Sequence, residues 1–160
     1  MQPHAGRKEL KPWQFKTAET GGTYNMMLYN RNESPGPDWV YRRGDVYWVN
    51  LDPFFGSEQG GTRPVLVLQN DDGIFNSPTL IVAPMSSRIY KRTDLPAHVV
   101  LDQVEGLNGP SLVMLEQIKT IDKKRVKSYI GRFTRGQMDM IDDALSGTLG
   151  INIPETVEAP

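Results

Sequence analysis

A glycine-rich loop, residues 55–61, leads directly into Thr62, Arg63 and a proline that opens a stretch of strand-forming residues. Three of its seven residues are glycines, which permit close backbone approach to a ligand or movement over it. The planar guanidinium of an arginine can hold two phosphate oxygens at once. An arginine before a strand more often forms a surface ion pair, so by itself this pattern makes Arg63 only a candidate for stabilising phosphate charge.

The side chains around this loop suit an unpaired nucleic-acid strand. Single-stranded RNA is commonly recognised by stacking bases on aromatic rings and hydrogen-bonding their edges. Phe54 and Phe55 could stack on bases, and Glu58, Gln59 and Gln117 could bond base edges.

Positive charge is concentrated later in the chain, although the formal net charge of the whole protein is only −1. Residues 119–135 contain seven cations and one acid, a local balance of 7 − 1 = +6, which predicts a phosphate-binding surface. A smaller cluster comprises Arg88, Lys91 and Arg92. On composition alone, such a charge run is more often a solvated face.

Several other kinds of chemistry lack the residues that they need. Cysteine is absent, which excludes disulfides, thiolate metal sites and a cysteine nucleophile. The two histidines, His4 and His98, offer neither a histidine metal cluster nor an evident catalytic pair, and His98 reads as structural. No EF-hand, Walker or dinucleotide spacing occurs. We therefore expect no metal and no cofactor.

The 160 residues suit a single catalytic domain. No run approaches the roughly 20 apolar residues that cross a bilayer, and the first ten residues lack the apolar stretch of a secretory signal. These features predict a soluble, cytoplasmic protein without membrane attachment.

The chain divides into three parts. Residues 1–42 read as an extension, partly ordered or packed on the core, with a short helix in residues 9–20 and a strand or turn in residues 24–29. Residues 152–160 read as a frayed tail. Between them, residues 43–151 contain short strand-like runs, which are residues 46–49, 64–69, 80–84, 97–101, 111–115, 117–121 and 126–133.

Two local signals refine this domain. Asp122 is placed to cap a short turn, and Thr134 followed by Gln137 forms a capping box. The capping box opens an amphipathic helix whose apolar positions are Met138, Ile141, Leu145 and Leu149. These residues predict core or dimer packing.

Three ordered segments of residues 43–151 together resemble the MazF/PemK toxin family. They are Arg-Gly-Asp-Val-Tyr at residues 43–47, Gly-Ser-Glu-Gln-Gly-Gly-Thr-Arg-Pro-Val-Leu-Val at 56–67, and Leu-Glu-Gln-Ile-Lys-Thr-Ile-Asp at 115–122. The resemblance implies a mainly β fold with appended helices (α+β), an SH3-like β-barrel of the MazF/PemK/CcdB type that ends in the amphipathic helix.

The resemblance also implies site residues. Arg63 stands at the position of the family's catalytic arginine, and Ser86 at a position that is usually threonine, so its hydroxyl is kept and only a methyl group is lost. The implied RNA-binding residues are Phe55, Ser57, Glu58, Gln59, Gly60, Thr62, Ser87, Arg88 and Gln117. A further departure is the 42-residue extension, which could alter access of RNA or of a partner.

The implied activity is metal-independent, sequence-specific endoribonuclease cleavage of single-stranded RNA. Attack by the 2′-hydroxyl leaves 2′,3′-cyclic phosphate and 5′-hydroxyl ends, and cleavage would make the protein a translation-inhibiting toxin. The implied partners are a MazE/PemI-like antitoxin and a second copy in a homodimer, with DNA bound only through the antitoxin. The alternatives are a CcdB-like gyrase poison, whose aromatic-glycine-isoleucine terminus is not reproduced here, and a noncatalytic SH3-like binding module. The cleavage sequence and the general base stay open.

Overall fold

The structure, a computed structural model, describes residues 32–90 and 95–151. Its strands are β1 (Asp45–Asn50), β2 (Thr62–Val67), β3 (Thr79–Ser86), β4 (His98–Leu101), β5 (Ser111–Met114), β6 (Lys119–Asp122) and β7 (Val126–Arg132), and its helices are α1 (Asp71–Asn76) and α2 (Arg135–Leu149). The predicted mainly β fold with a C-terminal helix is confirmed. Within the described ranges, no helix is long and apolar enough to cross a membrane.

All strand pairs are antiparallel, in the order β4-β5-β3-β2-β1-β7, and β6 also pairs with β3. Strand β3 organises the sheet because it pairs with three others. Its middle residues pair with β2, its first four pair with β6, and its last two, Met85 and Ser86, pair with β5. A 3₁₀ turn, Leu115–Gln117, joins β5 to β6.

The sheet separates two apolar clusters, as expected because successive side chains of a strand point to opposite faces. Val46 packs in one cluster with Ile141 of α2. Its neighbour Tyr47 packs in the other cluster, where Ile74 of α1 and Trp39 also lie. Both faces are therefore covered, one of them by α2.

Strand β7 does not alternate strictly between the two faces. An unbroken alternation along the run at residues 126–133 would place Tyr129 and Phe133 on one face, but they lie in different clusters, and Phe133 shares a cluster with Ile130. The pairing of β7 with β1 shifts register twice, which skips Lys127 and Ile130. Each shift is a bulge that inserts one residue and reverses the faces beyond it.

The segment before β1 lies along the outer edge of β7. The N–H of Asn32 donates to the carbonyl of Tyr129 at 2.9 Å, and the N–H of Tyr129 donates to the carbonyl of Glu33 at 2.9 Å. Asn32 has φ of 67°, so this is the hydrogen-bond pattern of a G1 bulge. Further along, the indole Nε1 of Trp39 donates to the Tyr47 hydroxyl at 2.9 Å. The helix and strand predicted in residues 9–20 and 24–29 lie outside the described residues, as does the tail from residue 152.

A buried carboxylate connects this region to β7. Asp45 is fully buried, and its Oδ1 accepts hydrogen bonds from Nε and Nη2 of Arg132 at 2.8 and 2.6 Å. The Tyr47 hydroxyl and the Arg42 N–H donate to its Oδ2, both at 2.9 Å. Burial raises the pKa of Asp45, although Arg132 and these hydrogen bonds act in the opposite direction. The carboxylate is thus a fully bonded structural group.

The capping box is confirmed. The Gln137 N–H donates to Thr134 Oγ1 at 3.2 Å, and the Thr134 N–H donates to Gln137 Oε1 at 2.9 Å. The turn at residues 123–125 is also present, with the Lys124 N–H bonded to Asp122 Oδ1 at 2.8 Å. Helix α1, capped by Asn70, was not predicted because it has only six residues and no apolar period.

We expect Thr134→Ala to lower the free energy of unfolding by about 1 kcal/mol, because it removes the N-cap of a helix that covers the core. Thr148→Ala is a matched control, since that hydroxyl bonds only the Ala144 carbonyl within the same helix at 2.8 Å. Urea unfolding of both variants measures the difference. Equal losses would show that the cap is not what stabilises α2.

Candidate active site

The two residues expected to act on RNA lie on adjacent strands. Val65 pairs with Pro84, and Val67 pairs with Val82. This pairing ends at Val65 and Pro84, and Arg63 and Ser86 lie two residues beyond it, at the same end of the two strands. Beyond that point β3 pairs with β5 instead. The sheet therefore places Arg63 and Ser86 at neighbouring ends of adjacent strands.

Arg63 is half-buried and anchored at one nitrogen. Its Nε donates to the Gly60 carbonyl at 2.9 Å. The terminal nitrogens Nη1 and Nη2 make no hydrogen bond to the described residues. With Nε held in this way, Nη1 and Nη2 remain available to donate to two oxygens of one phosphate group.

Ser86 ends β3 in a local turn. Its Oγ accepts a hydrogen bond from the Arg88 N–H at 3.1 Å. A hydroxyl has one proton to donate besides its lone pairs, so this bond leaves the proton free to reach a substrate oxygen. Ser87 and Arg88 are exposed beside it.

The glycine-rich loop is closed at its base. The Leu51 N–H donates to the Gly61 carbonyl at 2.9 Å, and the Gly61 N–H donates to Asp52 Oδ1 at 2.7 Å. Arg125 braces the same place through hydrogen bonds to the Asn50 and Asp52 carbonyls. Chain ends this close, with exposed residues between them, make a compact Ω-type loop.

The tip of the loop presents its side chains to solvent. Phe55 is 85% exposed and Phe54 is 54% exposed, and Ser57 and Thr62 are exposed as well. Glu58 also shapes the loop, because its Oε2 accepts from the Phe55 N–H at 3.2 Å. The Phe54 ring lies over Gly60, where a Cβ would stand 2.0 Å from Cδ1 of that ring. A side chain at residue 60 would therefore displace the Phe54 ring from its position.

Gln117 connects the loop to the other side of the site. It lies in the 3₁₀ turn after β5, and its Oε1 accepts from the Gln59 N–H at 3.3 Å. The residues predicted to bind RNA are thus divided between the loop, the end of β3 and this turn.

Three of the seven cations in residues 119–135 bond to the protein itself. Lys123 donates to the Ile74 carbonyl at 2.6 Å and lies over the Tyr41 ring, Arg125 braces the loop, and Arg132 pairs with Asp45. These three cations bind groups of the fold itself instead of forming part of a phosphate surface or of a solvated face. The phosphate surface predicted for the whole run is therefore reduced to the other four cations. Lys91 and Arg92 of the smaller cluster lie outside the described residues.

Two features of the site were missed from the sequence. One is the brace by Arg125, 75 positions from Asn50, which no local pattern reveals. The other is a contact of His98 with Glu116, whose place in the Leu-Glu-Gln-Ile-Lys-Thr-Ile-Asp segment was the only available signal. Among residues 32–90 and 95–151, no group of three histidine or acidic side chains is arranged to hold a metal.

Residues 42–149 match the family model described as a PemK-like, MazF-like toxin of type II toxin-antitoxin systems. The chain belongs to this toxin family. Endoribonuclease EndoA of Bacillus subtilis (strain 168) is 47% identical to this chain over 113 residues, which cover 70% of the chain and 97% of that relative. The resemblance found in the three ordered segments is confirmed, and the gyrase-poison alternative loses its support.

Solved structures of the toxin family have the same fold. MazF of Deinococcus radiodurans superposes with a TM-score of 0.61 and 26% identity, covering 71% of this chain and 99% of that one. A MazE-MazF structure from the same organism matches with a TM-score of 0.57 and 25% identity, covering 72% and 100%.

Proposed function

We propose that this toxin-family endoribonuclease cuts single-stranded RNA without a metal, using Arg63 and Ser86. The observation that supports the proposal is that Arg63 and Ser86 lie at the same end of adjacent strands, with the outer nitrogens of Arg63 and the hydroxyl proton of Ser86 available to a substrate. The exposed loop beside them supplies aromatic rings and amide groups for the bases.

In the proposed reaction the RNA 2′-hydroxyl gives its proton to water and attacks the adjacent phosphorus. The P–O5′ bond then breaks and the departing O5′ takes a proton from water, giving a 2′,3′-cyclic phosphate and a 5′-hydroxyl. Arg63 stabilises the negative charge on the nonbridging oxygens, and Ser86 donates a hydrogen bond to one of them. Among the described residues no carboxylate or imidazole is hydrogen-bonded to either side chain, so we assign both to charge stabilisation rather than to base catalysis.

We place the reaction in the cytoplasm, where cutting messenger RNA would inhibit translation and growth. The family's type II systems pair each toxin with an antitoxin, so we propose a MazE/PemI-like partner that covers the exposed loop, and DNA binding only through that partner. We also propose a homodimer. Residues 43–151 would form the toxin domain, preceded by the extension of residues 1–42 and followed by the tail of residues 152–160.

The test is incubation of the protein with a long mixed-sequence RNA in the presence of EDTA, followed by mapping of 5′-hydroxyl ends. Discrete cuts at one short sequence are expected. A second RNA with a single 2′-deoxynucleotide at the mapped position should resist cleavage there, because the attacking group is gone. Cutting of the deoxy substrate would refute attack by the 2′-hydroxyl, and an RNA left intact would favour the noncatalytic binding module.

We expect Ser86→Ala to lower the cleavage rate about five- to tenfold, the size of one lost hydrogen bond of about 1 kcal/mol. Ser86→Thr keeps the hydroxyl and should retain most of the activity. Single-turnover rates on the mapped RNA site measure both effects. Equal activity of the alanine variant and the original protein would remove Ser86 from the reaction.

A further inference from the structure

A histidine–glutamate pair lies beside the proposed RNA-binding residues. Nε2 of His98 is 2.7 Å from Oε1 of Glu116. The His98 side chain is 3% exposed and that of Glu116 is 34% exposed. This separation is within hydrogen-bond distance. The contact ties strand β4 to the 3₁₀ turn that contains Gln117.

The turn is held by core packing at both ends. Leu115 is buried and its N–H donates to the Ala97 carbonyl at 2.9 Å, and Ile118 packs against the same apolar cluster. Between them the turn closes through the Ile118 N–H and the Leu115 carbonyl, 3.4 Å apart, which is a weak hydrogen bond, and no side chain caps it. The Glu116 side chain adds a direct bond from the middle of the turn to strand β4.

Gln117 connects the turn to the glycine-rich loop. Gln117 follows Glu116 directly, and its Oε1 holds the Gln59 N–H at 3.3 Å. This bond fixes the loop at the position just before Gly60. A displaced turn would withdraw the acceptor from Gln59 and let the loop open.

We infer that His98 and Glu116 are positioning residues, which hold Gln117 in place and so order the loop for RNA. They act through the turn and do not touch the reacting atoms. The inference rests on the proposed function only where it predicts that these two residues affect RNA cleavage. The ordering of the loop is a property of the free protein and is tested separately.

The first test measures amide hydrogen exchange at Gln59 in the protein without RNA. We expect exchange about fivefold faster in Glu116→Ala, as in Gln117→Ala, because a hydrogen bond worth about 1 kcal/mol is lost. Glu116→Gln keeps an acceptor oxygen and should exchange slowly. Asp102→Ala, which removes an exposed carboxylate next to β4, is the matched control and should change nothing. Unchanged exchange in Glu116→Ala would overturn the inference.

The second test is a double-mutant cycle on the cleavage reaction. Glu116→Ala should raise KM about fivefold with kcat nearly unchanged, since the Arg63 guanidinium stays on its own strand. In a Gln117→Ala background, Glu116→Ala should add no further effect. Additive effects would show that Glu116 binds RNA itself, which would overturn the positioning role. His98→Ala should match Glu116→Ala, and if it fails to fold, the Glu116 variants decide the question.

Should the original protein cut no RNA, only the proposed function fails, and the exchange experiment still decides whether the pair orders the loop. Should cleavage occur with Gln59 exchange unaffected by Glu116→Ala, the proposed function stands and the inference fails.

Discussion

Arg63→Ala is expected to lower the cleavage rate at least about 100-fold, because the site would lose its fixed cation at the phosphate. The fold should survive, since the half-buried side chain makes one hydrogen bond, from Nε to the Gly60 carbonyl. Arg63→Lys should be nearly as slow. An ammonium keeps the charge but cannot bind two oxygens in one plane.

Arg42→Ala is the matched control. It removes the same charge from an exposed side chain in the segment before β1, where Arg42 bonds Asp45 through its backbone N–H and carbonyl and not through its side chain. Single-turnover rates on the mapped RNA site and thermal unfolding of each variant separate chemistry from stability. If Arg63→Ala cuts RNA within threefold of the original rate, Arg63 is not the catalytic arginine.

Arg132→Met should cost about 3 kcal/mol of stability, because it leaves the buried carboxylate of Asp45 without its cation. The estimate takes the lower end for a broken buried pair, since the Arg132 side chain is 32% exposed and Tyr47 and Arg42 still bond Asp45. Arg135→Met removes the same charge from an exposed site and should have little effect. Urea unfolding at pH 7 gives the comparison.

The decrease in the free energy of unfolding caused by Arg132→Met should depend on pH. Without Arg132, burial acts unopposed by the guanidinium and raises the pKa of Asp45 further above its unfolded value of about 3.9. A folded-state pKa above the unfolded one gives stability that is present below the unfolded value and lost as pH rises. The difference from the original protein should therefore be smallest near pH 4 and grow toward pH 7. In an Asp45→Asn background the pH-dependent part should vanish, and its persistence would assign it to another group.

The sequence was sufficient to predict what local patterns specify. β-Branched and aromatic runs located the seven strands of the described residues, and Thr134 with Gln137 located the start of α2. It was not sufficient for β7, because two bulges depend on pairing with β1 and leave no mark in the hydrophobic pattern. Helix α1 is too short to show a period.

For the site, the ordered segments pointed to Arg63 and Ser86, and the pairing of β2 with β3 leaves both at the same end of adjacent strands. Long-range contacts could not be read in advance. The use of Arg125 and Arg132 within the protein depends on which backbone and carboxylate groups the fold brings near them. A count of charged residues in the sequence treats Arg125 and Arg132 as available to a ligand, whereas in the folded protein they are bonded to groups of the protein itself.

The backbone hydrogen bonds between Asn32, Glu33 and Tyr129 affect the solubility of the protein in the absence of a partner. A terminal strand with open N–H and C=O groups is a template on which another chain can add, and proteins that persist in solution cover or charge it. At Tyr129 both groups are already taken. A shortened protein that begins after Glu33 would uncover them beside an aromatic cluster, and its solubility limit should fall even where its fold and its catalytic groups are intact.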